Sequence, residues 1–196
     1  MGRFTTIPQD TFDALQLDAG VLLYNFDIEA ATSDPTKTGF TEEDFICATT
    51  GGITASCTAE YSDLAEDVDN APVNMKEFLH LDGWTCSLAC TSLSNDAKGI
   101  KLALGAADID GNKVTPRRNV KQSDFRDIWW VGDKANGGFV AIHLMNALSS
   151  EGFELQTEKS GKGQTSITIT GYVSINDQNT VPMEFYSIDA DGEESE

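Results

Sequence analysis

Few side chains in this chain are of the kinds that do chemistry. There are two histidines, His80 and His143, which leaves little material for a His-based metal centre or a Ser-His-Asp triad. His143 stands between Ala141 and Met145 in an apolar run, the setting of a satisfied interior histidine rather than a general base, and His80 closes a charged loop as a solvated group. Cys47, Cys57, Cys86 and Cys90 are spaced by ten, twenty-nine and four residues, with no CxxC pair of the zinc-binding kind. They read as small buried hydrophobes of a reduced protein, with a cross-strand disulfide as the alternative. DIDGN at 108–112 opens like a calcium loop, but Asn119 occupies the twelfth position where a Glu is needed, so the segment reads as a helix-ending turn. GDKANGG and SGKGQ place glycine beside lysine without the spacing of a phosphate-binding loop, and read as hairpin turns. The acids Glu42, Glu43 and Asp44, like Glu66, Asp67 and Asp69, fall on loops as solvated charge. No catalytic, metal or cofactor-binding residue is assigned, and the chain reads as a non-enzyme.

The elements that carry these residues must come from a chain of 196 residues, enough for one self-sufficient core. No apolar run approaches the roughly 20 residues that span a bilayer, and MGRFTTIPQD lacks the apolar centre of a secretion signal, so the expected product is soluble and cytosolic, with no membrane partner. The formal charge is −19 and unevenly placed. Residues 1–70 hold fourteen acids against Arg3 and Lys37, a net of −12, whereas residues 98–162 hold ten bases against eight acids, a net of +2. Such a balance excludes a protein that grips nucleic acid through a basic footprint, though not one that lies beside it.

Strands dominate the pattern. AGVLLYNFD (19–27) is the first, followed by a polar loop at 28–44 marked by Pro35 and Gly39. FICATTGGITASCTAEY (45–61) reads as one long strand bulged at Gly51-Gly52. A projecting charged loop at 62–81 separates it from WTCSLACTSL (84–93). The spacing of Ile100, Ala103, Leu104 and Ala107 predicts one helix over 96–108, capped by Asn95 or Asp96 and covering an end or face of the sheets. VTPRR (114–118) is a short edge strand. GFELQTE (152–158) pairs with TSITITGYVSI (165–175), whose alternation puts Ile167, Ile169, Val173 and Ile175 inward, and VPMEFYSI (181–188) closes the sheet. The expected fold is mainly β: a mostly antiparallel sandwich or barrel of about eight strands with one flanking α-helix. Residues 1–188 form a single domain, and 189–196 an acidic, disordered tail.

One hairpin stands out because both of its faces are apolar. Along DFRDIWWVGD, Ile128 and Trp130 point one way and Phe125, Trp129 and Val131 the other. Along FVAIHLMNAL, Phe139, Ala141, Met145 and Ala147 oppose Val140, Ile142, Leu144 and Leu148. A free antiparallel hairpin keeps one wetted face. This one needs its own chain's core on one face and a second layer on the other, from the helix or from a neighbouring subunit, which makes Trp129, Trp130, Ile142 and Leu144 candidates for core or interface.

The order of ATTGGITASCTAEYSDLAEDVDN (48–70), GWTCSL (83–88), KLALGAADIDGNKVTPR (101–117), SDFRDIWWVGD (123–133), FVAIHLMNALSSEGFELQT (139–157) and KGQTSITITGYVSI (162–175) resembles the major tail protein, or tail tube protein, of long-tailed (siphovirus-type) bacteriophages and prophages of Gram-positive bacteria. The resemblance covers most of residues 19–188. It implies a virion protein, assembled in the host cytoplasm, whose hexameric rings stack into the conduit for DNA ejection. It also implies tape measure and tail terminator or tip proteins as partners, and double-stranded DNA passing through the lumen without specific binding. On that reading the loops at 28–44 and 62–81 connect rings. Glu66, Asp67, Asp69 and Asn70 would face Arg117, Arg118, Lys121 and Arg126 of the next ring. The competing readings are a soluble non-catalytic ligand-binding β-sandwich, using the polar face of TSITITGYVSI or the aromatic hairpin, and the inner tube subunit of a bacterial contractile injection device.

Overall fold

The computed structural model describes residues 7–8, 11–34 and 36–190, so Pro35, most of the acidic tail and the start of the chain lie outside the described residues. Two antiparallel sheets face each other. The first holds β1 (Val21–Leu23), β6 (Arg126–Asp133), β7 (Phe139–Ser149) and β10 (Met183–Ile188), paired in the order β1-β6-β7-β10. The second holds β2 (Thr49–Asp63), β3 (Leu79–Ser92), β9 (Gln164–Thr170) and β8 (Glu154–Gln156), paired in the order β2-β3-β9-β8. The end of β7 joins the two, since Leu148 and Ser149 pair with Thr170 and Ile169. A separate hairpin is made by β4 (Ala107–Asp110) and β5 (Lys113–Pro116). Between the sheets lies the core, with Leu22, Ile128, Trp130, Ile142, Leu144 and Met183 from the first and Cys86, Leu88, Cys90, Ile167 and Ile169 from the second. The fold is thus the expected mainly antiparallel β sandwich with a flanking helix.

The helix is α2 (Ala97–Leu104), following a shorter α1 (Ile28–Ser33) inside the stretch expected to be loop. Asp27 creates α1 by accepting the Ala30 N–H at 2.9 Å. Asp96 caps α2 by accepting the Gly99 N–H at 3.0 Å, while Asn95 is engaged by the Thr165 hydroxyl at 2.7 Å. The predicted helix ran to 108, but Gly105 ends it at φ 67°, donating its N–H back to Lys101 and Leu102. The chain after it becomes β4, so DIDGN is a strand and hairpin turn rather than a helix-ending turn. Two more boundaries differ. Phe45 touches β1 only through an isolated bridge to Leu23, and the long strand starts at Thr49. β9 stops at Thr170, so Val173 and Ile175 are exposed rather than inward, Ile175 at 81%. The predicted bulge at Gly51-Gly52 is present, as a register shift between Thr50 and Ile53.

All four cysteines are free. Cys57 and Cys86 stand opposite each other with sulfurs 3.1 Å apart, and burial, with the Cys57 sulfur, pushes the Cys86 thiol up to about 12. Fully buried, Cys86 serves as a packing group of the core.

The two-faced hairpin is resolved by its surroundings. Ile128, Trp130, Ile142 and Leu144 face the second sheet. Trp129 faces outward, stacked on His143 at 4.0 Å and bordered by Phe26 and Tyr186, so its cover comes from the chain before α1 and from β10 rather than from α2. Ala147 departs from the expected alternation. Asn146 adopts φ 47°, which slips the β6–β7 register between Arg126 and Ile128 and turns Ala147 into the core beside Leu144. Trp130 also anchors the chain entering β1: its Nε1–H donates to the Ala19 carbonyl at 3.0 Å, over Gly20, where an added Cβ would lie 2.6 Å from the indole nitrogen. Trp130→Ala is therefore expected to cost about 3–5 kcal/mol, read as a lower midpoint in urea unfolding of the isolated subunit; an unchanged midpoint would place Trp130 outside the core.

Candidate assembly interface

The feature set apart from the sandwich is a ribbon. β2 and β3 pair continuously from Thr49–Ser92 to Asp63–Leu79, apart from two register shifts, but the third strand, β9, accompanies β3 only over Ser87–Ser92. Beyond Cys86 two strands continue alone. An isolated two-stranded hairpin is marginal in water unless an apolar face is covered. Here that face is bare, since Tyr61, Leu79, Leu81 and Trp84 are all exposed along it.

The ribbon's tip, residues 64–78, is shorter than the expected loop because both strands run further. It is ordered by Asp63, whose carboxylate accepts the N–H groups of Ala65 at 2.9 Å and Asn74 at 3.1 Å. Successive turns follow, with Glu66 N–H on Asp63 O, Val68 N–H on Ala65 O and Ala71 N–H on Val68 O. Asn70 and Asn74 take positive φ, a conformation their short amide side chains tolerate. The result is a knob with Ala65 buried inside and Leu64, Val68 and Val73 exposed. Glu66, Asp67, Asp69 and Asn70 all lie exposed on this knob, so the structure brings the four acidic-loop candidates together.

The basic candidates divide. Arg117 is largely covered and committed within the chain: its Nη2 donates to both Asp124 oxygens, at 2.5 and 2.7 Å, and Nη1 to the Asn119 carbonyl. Its Nε lies 2.9 Å from Asp108 Oδ1, a contact of charge rather than an aligned hydrogen bond. Lys121 meets the same Asp108 oxygen at 3.2 Å. Together they clamp the β4–β5 hairpin to the 3-10 turn at Gln122–Asp124. Arg118 and Arg126 stay exposed, the second with its guanidinium over the Tyr24 ring.

Two surfaces were not legible from the pattern. Phe185 lies opposite Ile142 on the inner side of edge strand β10 yet is exposed, and Val173 and Ile175, in the segment between β9 and β10, are exposed as well. The other is a half-open cavity of about 210 Å³ at the α2 end, with Leu102 and Leu148 in its wall and Lys98, Lys101 and Arg126 around it. Lys98 and Lys101, three apart on a helix, were the sequence signal for it. Among the described residues, no group of three or more His, Cys, Asp or Glu side chains is placed to hold a metal, and no helix is long and apolar enough to cross a membrane.

No family model and no curated protein matches the chain. The solved structures that align with it include a chain from the virion of a native gene transfer agent particle and a chain from the tail of an empty gene transfer agent particle with C6 symmetry. Each is 9% identical with a TM-score of 0.42, and the alignment covers 86% of this chain and 96% of the other. A likeness this distant carries no argument about function or assembly.

The Arg117–Asp124 clamp gives a pH-dependent expectation. Burial alone would raise the Asp124 carboxyl, but the Lys121 backbone N–H at 2.8 Å and the Arg117 guanidinium outweigh it and hold the group below the usual carboxylate range. A depressed folded pKa stabilises the fold fully above the unfolded value of about 3.9, and the contribution is lost as pH falls through the folded value. Asp124→Asn should therefore melt below wild type at pH 7, with the gap closing below about pH 4; circular dichroism melts across that range check it.

Proposed function

We propose that this chain is a structural subunit of a phage tail, forming hexameric rings that stack into the tube through which DNA leaves the capsid. The observation that carries the reading is the ribbon beyond Cys86, two strands with exposed Tyr61, Leu79, Leu81 and Trp84 and an ordered tip, because its apolar face is covered only when a second copy lies against it. The open β10 edge with Phe185 supplies a second surface on the opposite sheet, so neighbours can be engaged by two different patches. Contacts between unlike patches are heterologous and generate closed rings or open-ended filaments.

The charge balance suits a conduit. A formal charge of −19 offers DNA phosphates no continuous basic groove, so a genome passing along such a subunit meets repulsion or neutral polar groups and is not retained. The sequence resemblance to tail tube proteins points the same way and adds the partners: tape measure protein along the lumen, terminator or tip proteins at the ends, with assembly in the host cytoplasm and residence in the virion. The domain reading, 1–188 as one unit with an acidic tail, belongs to the same proposal.

Electron microscopy of the concentrated protein tests it. Rings of six subunits or tubes are expected, and a monodisperse monomer at high concentration in moderate salt would sink the reading. Replacing residues 65–77 by a short Asn-Gly turn should leave the subunit's melting curve nearly unchanged while abolishing tubes.

A further inference from the structure

We propose that the cavity at the α2 end of the sandwich is the socket for the ribbon tip of a second copy of this chain, Val68 entering it and Asp67 and Asp69 meeting Lys98, Lys101 and Arg126. The inference rests on the assembly reading above and names the contact that would propagate it.

Both halves are built for it. The knob presents Val68 at 57% exposure between two exposed acids, on turns already hydrogen-bonded in the free chain, so little ordering is left for the moment of contact. The cavity offers the complement, an apolar wall of Leu102, Ala147 and Leu148 beneath a cationic rim. Asp124 also lines it, but its charge is already matched by Arg117. An apolar anchor ringed by opposite charges fixes both depth and orientation.

The alternative sockets fail on charge. A cavity of about 380 Å³ at the far end of β6 and β7 is lined by Asp18, Asp133 and Asp189 with Lys37, and a more open one of about 630 Å³ by Asp27 and Asp44 with Lys37. Asp189 is paired with Lys134, yet the remaining acids would still repel Asp67 and Asp69.

A chain cannot fill its own socket. Ser87 of the ribbon and Leu148 of the cavity wall both pair with Thr170, so the socket stands at the ribbon's base. From Ser87 the strand climbs to Leu79 at about 3.3 Å per residue, putting the tip roughly 26 Å further out, held there by continuous pairing with β2. The contact therefore runs between copies, tip to base, and repeats in one direction.

The test is a charge exchange in the full chain. Asp67→Lys with Asp69→Lys should raise the critical concentration for tubes about tenfold or more, as should Lys98→Glu with Lys101→Glu, and the four changes together should restore assembly. Tubes at the wild-type concentration from either double variant, or none from the fourfold variant with a wild-type melt, would overturn the socket while the tube reading stands. If the wild-type chain itself forms no assemblies, the tube reading fails first and takes the socket with it. Mixing chains carrying Val68→Cys with chains carrying Leu102→Cys, then oxidising mildly, should give a covalent dimer of unlike chains; its absence in assembled material would also overturn the proposal.

Discussion

One strand has to belong to two sheets, and the rest of the structure is arranged around how β7 does it. Up to Leu144 it pairs with β6 on one side and β10 on the other; at Leu148 and Ser149 it pairs with β9 of the opposite sheet. The change of allegiance happens at Asn146, whose φ of 47° is held by its N–H donating to the Asp127 carboxylate at 2.9 Å. That bend closes the corner of the sandwich, turns Ala147 into the core and seats α2, because Ser149 Oγ donates to the Ala103 carbonyl at 2.7 Å. The cavity beside α2 is what remains between the bent strand and the helix.

The same corner gives the molecule a direction. β6 runs from Arg126 to Asp133, so the end near α2 carries Lys98, Lys101, Arg118, Lys121 and Arg126 beside the paired Asp108 and Asp124, while the other carries Asp18, Asp133 and Asp189 with Lys37 and Lys134. In the proposed assembly this difference between the ends would favour head-to-tail contact. Exposed charge is screened by salt, so this polarity orients encounter while apolar contacts hold the product.

Much of the fold was legible because strand alternation records which face is wet. Ile167 and Ile169 lie inward, as their alternation predicts. Two kinds of feature were not legible. Ala147 was misassigned because a single positive-φ residue, Asn146, resets the parity downstream, and Val173 and Ile175 looked like strand because their alternation outlasts the pairing with β3. The knob's acids were visible as a charged loop, but the socket needed tertiary structure: Arg126 and Leu148 meet Lys98 only after β6, β7 and α2 have packed. Arg117 illustrates the converse, a base that sequence offers to a partner and the fold claims for Asp124.

A chain that displays Leu64, Val68, Val73 and Leu79 must also survive free before it can enter the proposed assembly. Bare apolar edges invite indiscriminate pairing, and the usual protection is charge placed beside them. Glu66, Asp67 and Asp69 occupy that position. Two tips approaching each other bring like charges together, so self-association through the ribbon end is opposed, whereas a tip approaching the Lys98–Lys101 rim is attracted. In the proposed assembly the acids would serve both states of the molecule, keeping free subunits apart and favouring the Lys98–Lys101 surface for the apolar knob.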